Sequence, residues 1–164
     1  MLAVLMSGCA ADPSVEPTPT PTFANDDEAF AAAEATYRAY VDALNQVDLA
    51  DPATFEEVYA WTTGEANADA RELFSKMHAS GETVSGDSVV KAFEPNGVGE
   101  NGEALTADVC VDVADVDVRD SNGVSVVAPD RVDVQVMRLA FLPSGTVTGL
   151  AIASITGRNN GLSC

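Results

Sequence analysis

Apolar side chains recur at helical spacing through the first half of the chain and predict three helices there. The first runs from about Asp27 to Val47, and its apolar positions form one buried stripe. A short second helix is predicted to start at Asp51-Pro52, because aspartate suits the N-cap and proline suits the first helical position. The third is predicted from Thr62 to Ala79, with Leu73 among its buried residues.

Capping signals mark the ends of these helices. Asn25 with Glu28, and Thr62 with Glu65, have the spacing of a capping box, in which two side chains satisfy otherwise unpaired N–H groups. Gly81 suits the left-handed residue that follows many helices, so the third helix is expected to stop there.

The apolar period changes to two after Gly81, which predicts strands in the second half. The predicted strands are Thr83–Phe93, Ala104–Arg119, Arg131–Leu142 and Thr146–Thr156. Asn122-Gly123 is a strong hairpin signal between the second and third strands. The predicted fold is therefore α+β, with three N-terminal helices packed on a four-stranded antiparallel sheet.

The second predicted strand changes register along its length. Val109 and Val113 share one face, whereas Val116 and Val118 have the opposite parity. One extra residue near Ala114-Asp115 would restore a continuous apolar face, as a β-bulge does. Because bulges bend strands, we expect a strongly curved, cone-like sheet with the helices in its concavity.

This order of elements, from Asp27 to Thr156, resembles the nuclear transport factor 2-like fold, the cystatin-like cone of ketosteroid isomerases and polyketide cyclases. The resemblance implies a short strand between the second and third helices, which would come from Tyr59–Thr63. It also implies that an enzyme of this type would carry a carboxylate or a His-Asp pair in the mouth of the cone. Homodimers through the sheet face are a further implication.

The chain is strongly acidic, since 26 acidic and 8 basic side chains give a formal charge of −18. Such a surface repels phosphate backbones, so nucleic-acid binding is disfavoured. The sequence offers no polybasic patch for anionic lipids and no apolar run near the length of about 20 residues that a membrane-spanning helix needs. Its length of 164 residues favours one folded domain, assigned to residues 27–164.

The segment Met6-Ser7-Gly8-Cys9-Ala10 resembles the lipobox of bacterial lipoproteins, in which the cysteine is acylated and becomes the mature N-terminus. Met1–Met6 resembles the end of a signal's apolar stretch, so residues 1–9 are interpreted as a truncated signal and the precursor is expected to begin upstream. The resemblance implies a lipid on Cys9 that holds the protein on the extracytoplasmic face of the cell membrane. The alternative is a chance motif in a cytoplasmic protein.

Residues 10–26 form a predicted disordered linker. The tract alternates prolines with threonines and carries almost no aliphatic side chains, so it cannot bury enough surface to fold. Its prolines are Pro13, Pro17, Pro19 and Pro21. Behind a lipid anchor such a tract is a semi-rigid tether; without one it is an incidental disordered terminus. Lipobox, Pro/Thr spacer, small cone-like domain and C-terminal cysteine together resemble many actinobacterial lipoproteins.

Cys110 and Cys164 are predicted to form a disulfide, as two cysteines in an exported domain commonly do. Cys110 has the parity of Asp108 and Asp112, which places it on the polar face of its strand. In the chain-entropy model the closed loop of about 55 residues stabilises by roughly 4 kcal/mol. A metal site lacks other soft ligands, and a catalytic thiol lacks a nearby histidine.

No constellation of residues in the sequence indicates catalysis, and we expect no metal and no cofactor. His78 lies near the predicted end of the third helix, where it is interpreted as a partly exposed cation at the helix C-terminus rather than a catalytic base. The second strand carries an acidic string that raises a calcium hypothesis but lacks EF-hand spacing. The string is Asp108, Asp112, Asp115, Asp117 and Asp120. Its interpretation is a solvated face that Arg131 and Arg138 could pair with.

Two functions fit this sequence. The first is a lipid-anchored extracytoplasmic module without catalytic activity, which binds a protein, cell-wall or small apolar partner. The second is an isomerase- or cyclase-type enzyme that acts on a small apolar substrate in the cone. An enzyme requires an ionisable side chain buried beside a cavity, whereas a binding module shows a filled cone or an exposed apolar patch.

Overall fold

The computed structural model describes residues 23–98, 105–158 and 164. The helices are α1 (Asp26–Leu44), a 3₁₀ turn (Pro52–Thr54), α2 (Phe55–Tyr59) and α3 (Gly64–Ser80). The strands are β1 (Thr83–Ser85), β2 (Val89–Val98), β3 (Leu105–Asp112), β4 (Asp117–Arg119), β5 (Val134–Pro143) and β6 (Leu150–Arg158). Cys9, the predicted signal and most of the predicted linker lie outside the described residues.

The first predicted cap forms at the start of α1. The Glu28 N–H donates to Asn25 Oδ1 at 2.9 Å, and the Glu28 carboxylate accepts from the Ala24 N–H at 2.6 Å. Asp51 likewise caps the 3₁₀ turn by accepting from the Ala53 N–H. None of the helices described for this chain combines the length and apolar character that crossing a membrane requires.

The predicted cap of the third helix is wrong, because Thr62 belongs to a different element. Thr62 forms an isolated parallel bridge with Ile152 of β6, and its hydroxyl donates to the Tyr59 carbonyl. Helix α3 therefore begins at Gly64 and ends at Ser80, and the following Gly81 adopts the predicted left-handed conformation at φ 69°. This bridge lies where the resemblance implies a short strand between the second and third helices.

Two of the four predicted strands are each divided in two. The segment from Thr83 to Phe93 breaks at Gly86, which has φ 79° and lies so close to Asp115 that a Cβ would collide with its carbonyl. The predicted strand Ala104–Arg119 likewise divides into β3 and β4. The two short strands, β1 and β4, pair with each other in a separate two-stranded sheet. The predicted bulge at Ala114-Asp115 is therefore wrong, since the chain makes a turn there and leaves the main sheet.

Arg131 holds this turn between β3 and β4. Its Nη2 donates to the carbonyls of Val113 at 2.7 Å and Val116 at 2.9 Å. The parity change seen in the sequence is thus real, but it marks the passage from one sheet to another rather than an extra residue within one strand.

The main sheet is the predicted four-stranded antiparallel sheet, in the order β2-β3-β5-β6. Its register shifts between Val90 and Ala92, between Pro95 and Gly97, and opposite Ala140 and Phe141. Such irregularities bend strands and increase twist, which curves the sheet around the helices. The α+β, cone-like architecture is therefore confirmed.

Helix α1 packs on the concave face of this sheet and fills it. Ala33 is fully buried and Tyr37 is 2% exposed, in one cluster with side chains of β3, β5 and β6. The largest of these sheet residues, Leu139, Phe141 and Ile152, are 0% exposed. A second cluster joins the end of α1 to α2 and to Phe74 of α3. Leu73, predicted as buried, is instead 53% exposed.

Phe141→Ala is expected to lower the free energy of unfolding by about 3–5 kcal/mol, because a fully buried ring is replaced by a cavity. Urea unfolding followed by circular dichroism measures the change. Val147→Ala is the matched control, since this residue is 94% exposed, and it should cost less than about 0.5 kcal/mol. A loss at Phe141 as small as the control's would contradict a filled concave face.

Candidate functional site

The concave face, where an enzyme of this fold would hold its substrate, is apolar and closed by α1. The buried polar side chain that α1 contributes to this face is Thr36. Its hydroxyl oxygen lies 2.8 Å from the Ala32 carbonyl oxygen and 2.6 Å from the Thr148 hydroxyl oxygen. Among the described residues the one buried carboxylate, Asp108, alternates with Val109 and lies on the opposite face of β3. In the described part of the chain, no carboxylate or histidine belongs to the cluster that fills the concave face.

The three tyrosines are packing residues in this arrangement. Tyr37 and Tyr40 stack with ring centroids 5.9 Å apart, and burial raises the pKa of both phenols. Burial also raises the pKa of Tyr59, although Arg71, whose guanidinium carbon lies 3.9 Å from the ring centroid, opposes the shift. All three phenols are thus neutral at physiological pH and cannot act as bases.

Asp108 is held on the outer face of the sheet by Arg138. The guanidinium of Arg138 donates to both carboxylate oxygens, at 2.8 and 2.7 Å, and Asn96 adds a third hydrogen bond at 3.2 Å. The hydrogen bonds from Arg138 lower the pKa of the Asp108 carboxyl, against an opposing effect of burial. This bidentate pair joins β3 to β5 and leaves the carboxylate no role in proton transfer.

A disulfide between Cys110 and Cys164 lies on the same outer face, two residues along β3 from Asp108. The two Cα atoms are 5.9 Å apart, and the cysteines are 54 positions apart in the chain. A loop of that length contributes about 4 kcal/mol in the chain-entropy model. The disulfide attaches the last residue of the chain to the middle of the sheet.

Three further members of the acidic string, Asp112, Asp117 and Asp120, are engaged in turns and ion pairs. Asp112 bonds Lys91 at 3.3 Å, and Asp120 accepts from the N–H groups of Asn122 and Val124 to form the predicted Asn122-Gly123 turn. Within the described ranges no three histidine, cysteine or acidic side chains come together as metal ligands would. The string does not converge on one point.

His78 ties α3 to the segment before α2. Its Nδ1 lies 2.7 Å from the Leu49 carbonyl, so this nitrogen carries the proton and donates, and the ring stands edge-on to Phe55. The contact positions two elements of the second cluster. It places His78 at the end of the third helix, as the sequence indicates.

The described residues form grooves on the surface outside the cone that sequence reasoning missed, and three of them concern us. Two of them, of about 470 and 400 Å³, meet at Trp61 and share Glu57. The third, of about 290 Å³, lies between α3 and the segment after β4, and Lys76 and Arg131 line it. Trp61, at the junction of the first two grooves, is only partly buried. The signal available in the sequence was its spacing of one helical turn from Glu57.

Comparison with known proteins concerns the fold. No protein-family model and no curated protein matches the chain. Similar solved structures include the intermembrane-space region of the chloroplast protein ARC6, with a TM-score of 0.53 and 14% identity over 78% of this chain and 95% of that one. Another is a protein proposed to be an aromatic ring hydroxylase from Novosphingobium aromaticivorans, with a TM-score of 0.50 and 15% identity over 81% and 94%. At such identities the likeness shows a shared cone-like fold.

Arg138→Met is expected to destabilise the protein by about 1–3 kcal/mol at pH 7, because it leaves Asp108 buried without its partner. The pKa of Asp108 is lower in the folded protein than in the unfolded chain. The stabilisation by the Asp108–Arg138 pair is therefore complete above the carboxyl's pKa in the unfolded chain, and it is lost as the pH falls through the carboxyl's pKa in the folded protein. The difference between wild type and variant should therefore shrink below about pH 4. Urea unfolding at several pH values measures it.

Arg38→Met is the matched control for this experiment. Arg38 pairs with Glu34 on the surface, with side chains 49% and 40% exposed, so the loss should be under about 1 kcal/mol. Equal losses at the two arginines, or a difference that persists at pH 3, would contradict the account of Asp108.

Proposed function

We propose that this chain is a lipid-anchored, non-catalytic binding module on the extracytoplasmic face of the cell membrane. The observation that carries the proposal is the filled cone. Val109, Leu139 and Ile152 are 0% exposed beneath α1, so the place where related folds would hold a substrate is occupied by the protein's own side chains.

The isomerase- or cyclase-type alternative needs an ionisable group facing a cavity. In the described part of the chain, the concave face presents aliphatic and aromatic side chains, and Asp108 is paired on the other side of the sheet. The grooves lie on the outside of the domain instead. Surface grooves on a rigid, filled scaffold are what a binding module requires.

The anchor in this proposal is Cys9, supported by its lipobox-like context and by the proline-rich tract behind it. The disulfide between Cys110 and Cys164 gives independent support for export, because disulfides persist in oxidising compartments. In this arrangement the linker holds the acidic domain away from the membrane, and the surface grooves are open to a partner. The homodimer implied by the fold stays a prediction.

A filled cone is expected to exclude small apolar ligands. Calorimetry with benzene or indole should detect no saturable binding to the wild type, whereas Phe141→Ala should bind because an apolar cavity opens at a known place. The variant thus serves as the positive control. The opposite result would be saturable binding to the wild type, with an affinity that changes in Phe141→Ala or in a variant with a bulky residue at Ala33. That result would favour the enzyme alternative.

The anchor is expected to make the protein partition with membranes. In cells that express the complete precursor, the wild type should enter the detergent phase, and mass spectrometry should find an acylated Cys9 at its N-terminus. Cys9→Ser should remain in the aqueous phase with its domain folded. A native protein that retains an unmodified Met1 would contradict the anchor.

A further inference from the structure

Trp61 is held rigidly at the junction of α2 and the main sheet. Its backbone N–H donates to the Val58 carbonyl at 3.2 Å, and its own carbonyl accepts from the Ile152 N–H at 2.9 Å. Both partners are 0% exposed core residues. The partly buried indole is therefore presented on a fixed base, which lowers the entropic cost of binding a ligand against it.

Two carboxylates flank the indole. Glu57 lies one helical turn before Trp61 and lines both grooves, and Asp42 of α1 lines one of them. Among the ion pairs within the described residues, neither carboxylate has a partner, and no basic side chain lines either groove. The third groove differs in charge, since two basic side chains, Lys76 and Arg131, line it with one carboxylate, Glu82.

Two threonine hydroxyls that line the grooves have already used their hydrogens. The Thr146 hydroxyl donates to the Leu150 carbonyl at 2.6 Å, and the Thr54 hydroxyl donates to the Asp51 carbonyl at 2.8 Å. Hydroxyls engaged in this way can only accept from a ligand. Beside the neutral side chains of Gln46 and Ser144, the grooves thus present two carboxylates, two acceptor hydroxyls and an indole ring. The carboxylates and the ring are complementary to a cationic hydrogen-bond donor.

We propose that the two grooves around Trp61 bind an extended, lysine- or arginine-rich segment of a partner protein. One cationic side chain lies over the indole ring, where the ring quadrupole attracts it, and its neighbours reach Glu57 and Asp42. Two adjoining grooves of about 470 and 400 Å³ exceed what a single ammonium group fills and suit several residues of extended chain. Val147, 94% exposed at the rim, supplies apolar contact for the aliphatic parts of the long side chains.

This inference deepens the proposed function, because it names the ligand class of the binding module. The net charge of −18 attracts cations to the whole surface and speeds encounter. The combination of an aromatic face with unpaired carboxylates makes the Trp61 grooves the place where a cation is held. Specific binding must therefore be separated experimentally from general attraction.

The chain contains a single tryptophan, so its fluorescence reports on these grooves without a label. The full 164-residue chain carrying Cys9→Ser is titrated with an acetylated, amidated hexalysine peptide at low ionic strength, with hexaserine as the uncharged probe. We expect a saturable change in Trp61 emission with hexalysine only. Glu57→Gln should weaken binding about two- to five-fold, and the double variant with Asp42→Asn about ten-fold.

Glu56→Gln is the matched control, since it removes the same charge from the adjacent residue. Glu56 lies 3.8 Å from Arg71 and lines neither groove, so its variant should bind within about two-fold of the wild type. Trp61→Leu, followed by calorimetry, should weaken binding about two- to five-fold by removing the aromatic face. Its circular dichroism spectrum checks the fold, and the glutamate variants keep the test valid if this variant unfolds.

Three results would overturn the inference: no saturable emission change, equal losses for Glu56→Gln and Glu57→Gln, or binding of neutral chitotetraose in place of hexalysine. Each of these leaves the tests of the filled cone and of the Cys9 anchor unaffected. Failure of the groove and failure of the proposed function are therefore distinguishable.

Discussion

The packing of α1 into the concave face of the sheet is the contact on which the rest of the structure depends. Ala33 lets the helix approach closely, and Tyr37, Leu139 and Phe141 fill the space between helix and sheet. Each fully buried large apolar side chain contributes about 1.5–3 kcal/mol. The same packing that stabilises the domain fills the concave face with the protein's own side chains.

The outer face of the sheet carries the other long-range constraints. The bidentate Asp108–Arg138 pair joins neighbouring strands, and the disulfide attaches Cys164 to Cys110 at the middle of β3. With the sheet braced on both faces, the surface around Trp61, where α1, α2 and the turn between β5 and β6 meet, can hold a fixed shape without the support of a ligand.

Much of this fold is predictable because its signals are local. The apolar stripe of α1, the Asn25 cap and the Gly81 terminus depend on residues within a turn or two of each other. The errors arise where a distant partner decides. Thr62 has the spacing of a cap but pairs with Ile152, and the break at Gly86 occurs because its turn packs against Asp115, in a different part of the chain.

By itself, the sequence determined the fold class, the order of the strands and the two cysteines available to pair, since periodicity and residue type suffice for these. Only the tertiary structure decided that the cone is filled, that Asp108 is neutralised by Arg138 and that Trp61 is only partly buried beside Glu57. The physical reason is that burial, charge pairing and the shape of a groove are properties of surfaces from distant segments. Alternation along a strand shows that two faces exist, and the packing of the whole chain decides what covers each.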